Sequence, residues 1–327
     1  MDPRPKIGTR QTPETLEEVV IRVEDLRKSY GKVVAVDGLD LNVNRGEVFA
    51  ILGPNGAGKT TTLEMVEGLR KPDTGEIEVA GYDAVREGED LKRIIGVQLQ
   101  STALFDYLSV EETLRLFADL YGADGSPARI RELLEMGSLT EKAGSRVDQL
   151  SGGQQHRLSL ILALVNDPQV VFLDEPTTGL DPQSRRNVWE LVRKIREEDK
   201  TVVLTTHYME EAEELCDRVA IMDHGRILIC DTPLALIRSL KMDATVLGSV
   251  EGDPAGHLGA DLDLLPGVTS EERDGTDLRL RTEDVQATVT GLMSLAAERG
   301  LHLGNLSVQN ANLEDVFISY TGRGLRE

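Results

Sequence analysis

Cysteine is nearly absent from this chain of 327 residues: Cys216 and Cys230 are the whole complement. Two thiols allow one disulfide at most. That excludes a disulfide-stapled framework and a paired-cysteine metal site, and it fits a reducing, cytoplasmic setting. Long apolar runs are missing too. The longest, such as Ile161 to Val165, fall far short of the roughly 20 residues that a bilayer-spanning helix needs. The first residues are polar, are interrupted by Pro3, Pro5 and Pro13, and hold no apolar segment suited to a signal peptide. If the protein works at a membrane, it works from one side. Basic charge is scarce, with 36 Lys and Arg against 57 Asp and Glu and a formal net charge of −21. Such a chain is a poor non-specific ligand for nucleic acid or anionic headgroups. No nucleic-acid partner is therefore expected, and any hold on a membrane must run through a protein. No repeat of solenoid period is evident.

What remains is ordinary globular composition, 40% hydrophobic and 28% charged, in a length that suits one large α/β domain and a small second one. Residues 1–19 read as a flexible leader. From Val20 to Ile51, apolar stretches alternate with turns at Tyr30-Gly31, Asp37-Gly38 and Asn44-Arg45-Gly46, which predicts β-hairpins feeding a central strand. Val48 to Leu52 is continuously apolar, as in a strand buried on both faces. A helical insertion is expected over about 101–150: Ser109 and Glu112 form a capping-box pattern, and Leu114, Phe117 and Tyr121 recur at helical spacing. Helical stripes (Leu158 to Val165; Val188, Leu191, Val192, Ile195) then alternate with strands (Val170 to Leu173; Thr201 to Thr206), which implies a mainly parallel sheet. A break near 240 separates this α/β domain, 20–240, from a small α/β accessory domain, 241–327. Strands are expected there at Thr245 to Val250, Leu278 to Thr282 and His302 to Val308. Helices are expected around Val285 to Ala296 and Leu313 to Tyr320.

Gly53-Pro54-Asn55-Gly56-Ala57-Gly58-Lys59-Thr60 is glycine, four residues, then Gly-Lys-Thr, between a buried strand and a helix. Glycines let successive N–H groups curl round an anion, and the helix start near Lys59 aims its positive end at phosphates. Lys59 offers a point charge to the β- and γ-phosphates, and Thr60 offers a hydroxyl to Mg²⁺. Gly53, Asn55, Gly56, Gly58 and Thr61 complete the expected ATP cradle. Val170 to Leu173 ends in Asp174 and Glu175. Asp174 is placed to hold the Mg²⁺ shell, which leaves Glu175 to polarise the attacking water. Together these elements define a nucleoside triphosphatase.

Leu150-Ser151-Gly152-Gly153-Gln154 is a second anion-binding turn at a helix start. Here the sequence resembles the ATP-binding-cassette family, over about Val20 to Asp231 and in that family's order of motifs. The resemblance implies a P-loop fold with an antiparallel β subdomain. It also implies that Ser151, Gly152, Gly153 and Gln154 complete the ATP site of a second copy, in a head-to-tail homodimer holding two ATP molecules. Gln100 resembles the glutamine that senses the γ-phosphate and Mg²⁺, with Gln98 the competing candidate. His207 resembles the switch histidine that contacts the γ-phosphate, Asp181 the aspartate that communicates across the dimer, and Tyr30 the aromatic that stacks on adenine. One departure is Gln155, where many members have a basic residue, with Arg157 two positions on.

Val66-Glu67-Gly68-Leu69-Arg70, Ser101 to Asp106, Leu313-Glu314-Asp315-Val316-Phe317 and Tyr320-Thr321-Gly322-Arg323 look like the daunorubicin-resistance-type exporter branch, in which the permease is usually a separate membrane chain. That implies efflux of a drug, lipid or similar amphipathic cargo, powered from the cytoplasmic face of the membrane. Ser101 to Tyr107 and the helix from Val110 would meet the permease. The alternatives are an importer subunit and a soluble cassette ATPase. The soluble types carry long coiled coils between the phosphate loop and the signature, or two cassettes with a basic linker, and this acidic single cassette has neither.

Overall fold

The computed structural model describes residues 18–99, 104–240, 244–251 and 259–322. The leader up to residue 17, Gln100, residues 101–103 and Arg323 lie outside the described residues. The chain opens with two long strands, β1 (Val19–Tyr30) and β2 (Val33–Asn44), paired as an antiparallel hairpin. Val20, Ile21, Val23, Leu26, Val36, Leu39, Leu41 and Val43 are buried from this ribbon, and charged side chains fill its other face. Asp37-Gly38, expected as a turn, instead lies inside β2. Gly38 takes φ +68° at an irregular stretch of the ladder, so the glycine kinks the strand without ending it.

β3 (Val48–Leu52), α1 (Lys59–Val66), β4 (Thr74–Val79), β5 (Tyr82–Asp83), α2 (Gly88–Ile94) and β6 (Ile95–Gln98) follow. β4 and β5 extend the hairpin into an antiparallel sheet of order β2-β1-β4-β5. Next come α3 (Val110–Tyr121) and α4 (Pro127–Met136), which lie within the stretch expected as a helical insertion. The Ser109–Glu112 capping box is formed at the start of α3. Then α5 (Gly152–Leu162), β7 (Val170–Asp174), α6 (Pro182–Glu197), β8 (Thr201–Thr206), α7 (Met209–Leu215), β9 (Arg218–Asp223), β10 (Arg226–Asp231) and α8 (Pro233–Ser239) complete the large unit. The central sheet runs β10-β9-β3-β8-β7-β6, parallel except for β10. Its inner strands are buried on both faces, which is why they read as unbroken apolar runs. Phe49, Ile51, Val170 and Phe172 face α1 and the antiparallel sheet, whereas Ala50, Leu52, Val171 and Leu173 face the helical layer.

The remaining elements are β11 (Ala244–Glu251), α9 (Gly259–Leu262), β12 (Val268–Asp274), β13 (Asp277–Thr282), α10 (Val285–Arg299), β14 (His302–Asn310) and α11 (Leu313–Thr321). The antiparallel order β12-β13-β11-β14 with a βαββαβ succession is the split-βαβ, ferredoxin-like arrangement, with its own core of Val246, Val250, Leu278, Leu280 and Leu292. β12 is an element the sequence reading lacked, because this charged edge strand has no apolar alternation to betray it. α11 leaves that core: Leu313, Val316 and Phe317 are fully buried with the large unit's residues. The Leu313 N–H also donates to Glu213 Oε1 on α7 at 2.6 Å.

Candidate active site

β3 runs straight into the phosphate loop. Gly53 admits no side chain, since a Cβ there would lie 2.2 Å from the Met222 carbonyl oxygen on β9. Gly58 combines φ +105° with a Cβ position 2.3 Å from the Ala35 carbonyl oxygen. These constraints pin the loop against β2 and β9 and start α1 at Lys59, where the helix's unpaired N–H groups and positive end meet the loop. Asn55 and Gly56 lie exposed at its tip, and Thr61 is half-buried on α1. Lys59 Nζ donates to the carbonyls of Gly53 (2.9 Å) and Pro54 (3.1 Å) and stands 3.3 Å from Glu175 Oε1. Burial pulls the ammonium below its ordinary range, against the opposing charges of Glu175 and Asp174.

β7, held between β6 and β8, delivers the carboxylates to the same point. Asp174 Oδ1 accepts from Thr60 Oγ1 at 3.2 Å and from Thr205 Oγ1 at 2.5 Å. Burial raises the Asp174 pKa, and the Thr205 and Thr60 hydroxyls oppose that rise. Glu175 sits at φ +48°, a left-handed conformation that a non-glycine residue rarely adopts and that clusters at functional sites. Its N–H donates to Thr205 Oγ1 at 2.9 Å, Thr178 Oγ1 donates to its Oε2 at 3.1 Å, and His207 Nδ1 lies 3.4 Å from Oε2. Burial pushes the Glu175 carboxyl up, but Lys59 and then His207 more than offset it. The group settles below the usual glutamate range and is an ionised base at neutral pH.

Tyr30 ends β1 and is half-exposed, with Arg70 Cζ 5.5 Å and Lys28 Nζ 5.8 Å from its ring centroid. Arg70 is itself fixed by Glu64 at 2.6 Å. The signature forms a second group. Ser151 N-caps α5 in a capping box with Gln154, whose Oε1 accepts from the Ser151 N–H at 2.9 Å. A Cβ on Gly153 would lie 2.7 Å from Ser184 Oγ, so the start of α5 abuts the start of α6. There Asp181 accepts from the N–H groups of Gln183 and Ser184, each at 3.0 Å. Ser151, Gly152 and Asp181 are exposed, and Gly153 and Gln154 partly so. Gln98 is a buried residue of β6 that donates to the Leu99 carbonyl oxygen at 2.9 Å.

Thr205 and Thr178 are the residues the sequence reading missed. Thr205 holds both acidic residues at once, donating to the Asp174 carboxylate and accepting from the backbone N–H of Glu175. Its only signal was a pair of threonines closing an apolar strand just before His207.

A glycine-pinned phosphate loop facing an ionised glutamate at a parallel strand's end is the site of a P-loop nucleoside triphosphatase. Comparisons with known proteins specify the family. Residues 36–178 match the ABC transporter family model. Residues 254–312 match the model of the C-terminal domain of ABC transporter domain-containing protein-like chains. The Nod factor export ATP-binding protein I of Paraburkholderia xenovorans is 40% identical, over 95% of this chain and 100% of its own. The linearmycin resistance ATP-binding protein of Bacillus subtilis is 37% identical, over 94% and 100%. The daunorubicin resistance ATP-binding protein of Streptomyces coeruleorubidus is 40% identical, over 94% and 97%. A dimeric bacterial ABC transporter cassette superposes with a TM-score of 0.59 at 30% identity, covering 65% of this chain and 98% of that one. The chain belongs to the ABC transporter ATP-binding proteins, a family of ATP hydrolases.

Proposed function

We propose that this protein powers export of a drug, lipid or similar amphipathic cargo through a separate integral membrane permease, working as a peripheral homodimer on the cytoplasmic face of the membrane. End-to-end similarity to three ATP-binding proteins named for export or resistance is the observation behind this reading. Among the described residues no helix is long and apolar enough to cross a membrane. Phe105 and Tyr107, at the head of the α3 segment, are 51% and 83% exposed, a surface suited to the permease contact. We take 20–240 as the cassette and 241–327 as the accessory domain, with the separate ferredoxin-like core in support.

Glu175 acts as general base on the attacking water, with Lys59 and His207 at the γ-phosphate and Tyr30 against the adenine. Among the described residues no cluster of three His, Cys, Asp or Glu side chains could hold a metal. Thr60 and Asp174 instead bring two hard oxygen donors within 3.2 Å, the donor set from which a Mg²⁺ ion shared with phosphates would be held. Such an ion, when bound, neutralises charge developing on the β- and γ-phosphate oxygens. Gln100 is assigned to the same shell from its sequence position. Ser151, Gly152, Gly153, Gln154 and Asp181 serve the partner's ATP across the dimer.

The test is transport. Inside-out vesicles holding this chain and the membrane protein encoded beside it should accumulate an amphipathic fluorescent drug with ATP, and fail to with Glu175→Gln. ATP-driven release of cargo preloaded with a solute-binding protein in the vesicle lumen would point to an importer. ATP hydrolysis with no movement of the drug, in vesicles that hold both the chain and the membrane protein, would refute the transport role.

A further inference from the structure

Helix α7 begins two residues after His207 and turns a glutamate into the protein interior. Glu211 is 0% exposed, and Trp189 Nε1 on α6 donates to its Oε1 at 3.1 Å. The rest of the carboxyl faces the hydroxyls of Thr206 and Thr177 and the charge of Arg185. Thr177 Oγ1 and Glu211 Oε2 are buried with no well-formed hydrogen bond. Thr206 is the last residue of β8, and its Oγ1 accepts the Tyr208 N–H at 2.9 Å, which shapes the backbone on both sides of His207. Thr177 opens the segment that ends at Asp181, the cap of the helix that carries Trp189. Arg185 closes the circle, its guanidinium 4.3 Å from the centroid of the Tyr208 ring, which lies tilted against the His207 ring with centroids 4.1 Å apart.

We propose that Glu211 is a positioning residue for hydrolysis. One buried carboxyl group ties the segment leading to Asp181 to the strand end presenting His207, so that the two move as a unit. The proposal rests on the roles given above to His207 and Asp181. Packing alone would be served by leucine in this place, because burying an incompletely paired acid is unfavourable. The hydrogen-bond pattern also defines a chemical mimic. Trp189 makes Oε1 the acceptor and leaves Oε2 on the side of the threonines, and burial raises the pKa of the acid. A glutamine reproduces both roles, with its carbonyl toward Trp189 and its amide N–H toward Thr177 and Thr206.

The experiment measures phosphate release by the full chain across ATP concentrations. Glu211→Ala should lower kcat about 10- to 100-fold with KM for ATP within about twofold, the signature of a misplaced catalytic group rather than lost binding. Glu211→Gln should return kcat to within about threefold of the parent. Trp189→Phe keeps the ring packing and deletes one donor, and should lower kcat about three- to tenfold. A kcat within twofold of the parent in Glu211→Ala, or Glu211→Gln as impaired as Glu211→Ala, overturns the proposal. Should Glu211→Ala not fold, Glu211→Gln and Trp189→Phe decide, and unchanged turnover in Trp189→Phe overturns it. Glu175→Gln run in parallel keeps the premises separate: normal turnover there would sink the reading of the site itself, whatever Glu211 does.

Discussion

Glu67 follows α1 and offers a sharp thermodynamic test of the fold. Its side chain is 1% exposed and both carboxylate oxygens are buried without a hydrogen-bond partner. Burial, with Asp174 and Glu64 adding like charge, pushes its pKa from 4.5 to about 8. At neutral pH the folded protein therefore keeps a proton that the unfolded chain has released. Unfolding then takes up no proton but gives one away, and stability falls as pH rises. The full stabilisation is present below about 4.5, declines across the window from 4.5 to 8, and levels off above it. Each pH unit within the window is worth about 1.4 kcal/mol. Between pH 5 and pH 8 this one group should thus remove about 4 kcal/mol, a large part of a typical domain's stability. Glu67→Gln deletes the titration and keeps the shape. Urea unfolding without nucleotide, followed by the fluorescence of the single tryptophan, Trp189, reports on the cassette. The stability difference between parent and variant should change by about 4 kcal/mol from pH 5 to pH 8, in favour of the variant at high pH. Parallel pH profiles, differing by under about 1 kcal/mol over that range, would refute the buried neutral acid.

Other outcomes follow from the same geometry. Glu175→Gln should retain ATP binding and lose about 10²- to 10⁴-fold in turnover, measured by phosphate release beside a binding titration; near-normal turnover would remove Glu175 as the base. Gly58→Ala, forced against the Ala35 carbonyl oxygen at 2.3 Å, should abolish nucleotide binding by calorimetry while leaving the helical content intact. Phe317→Ala should destabilise the cassette by about 3–5 kcal/mol, because Phe317 is fully buried in the cassette's core. The check is Trp189 fluorescence on unfolding; loss confined to the accessory domain's transition would contradict the docking of α11.

Contiguous chemistry was legible in the sequence. The phosphate loop, the Asp174-Glu175 strand end and the Ser109–Glu112 capping box each announce themselves within ten residues, because local backbone geometry and neighbouring side chains suffice to define them. Alternating helical stripes and unbroken apolar runs gave the parallel sheet, since strands covered on both faces cannot afford polar residues. Tertiary structure alone decided which distant groups would meet. Thr205 meets Asp174 across 31 positions, Trp189 meets Glu211 across 22, and Leu313 meets Glu213 across 100. No periodicity encodes such pairs, because a threonine or glutamate reads the same in the sequence whatever the fold brings against its side chain. The same reason hid β12, the neutral Glu67 and the return of α11 to the cassette: each depends on what the rest of the fold places against it.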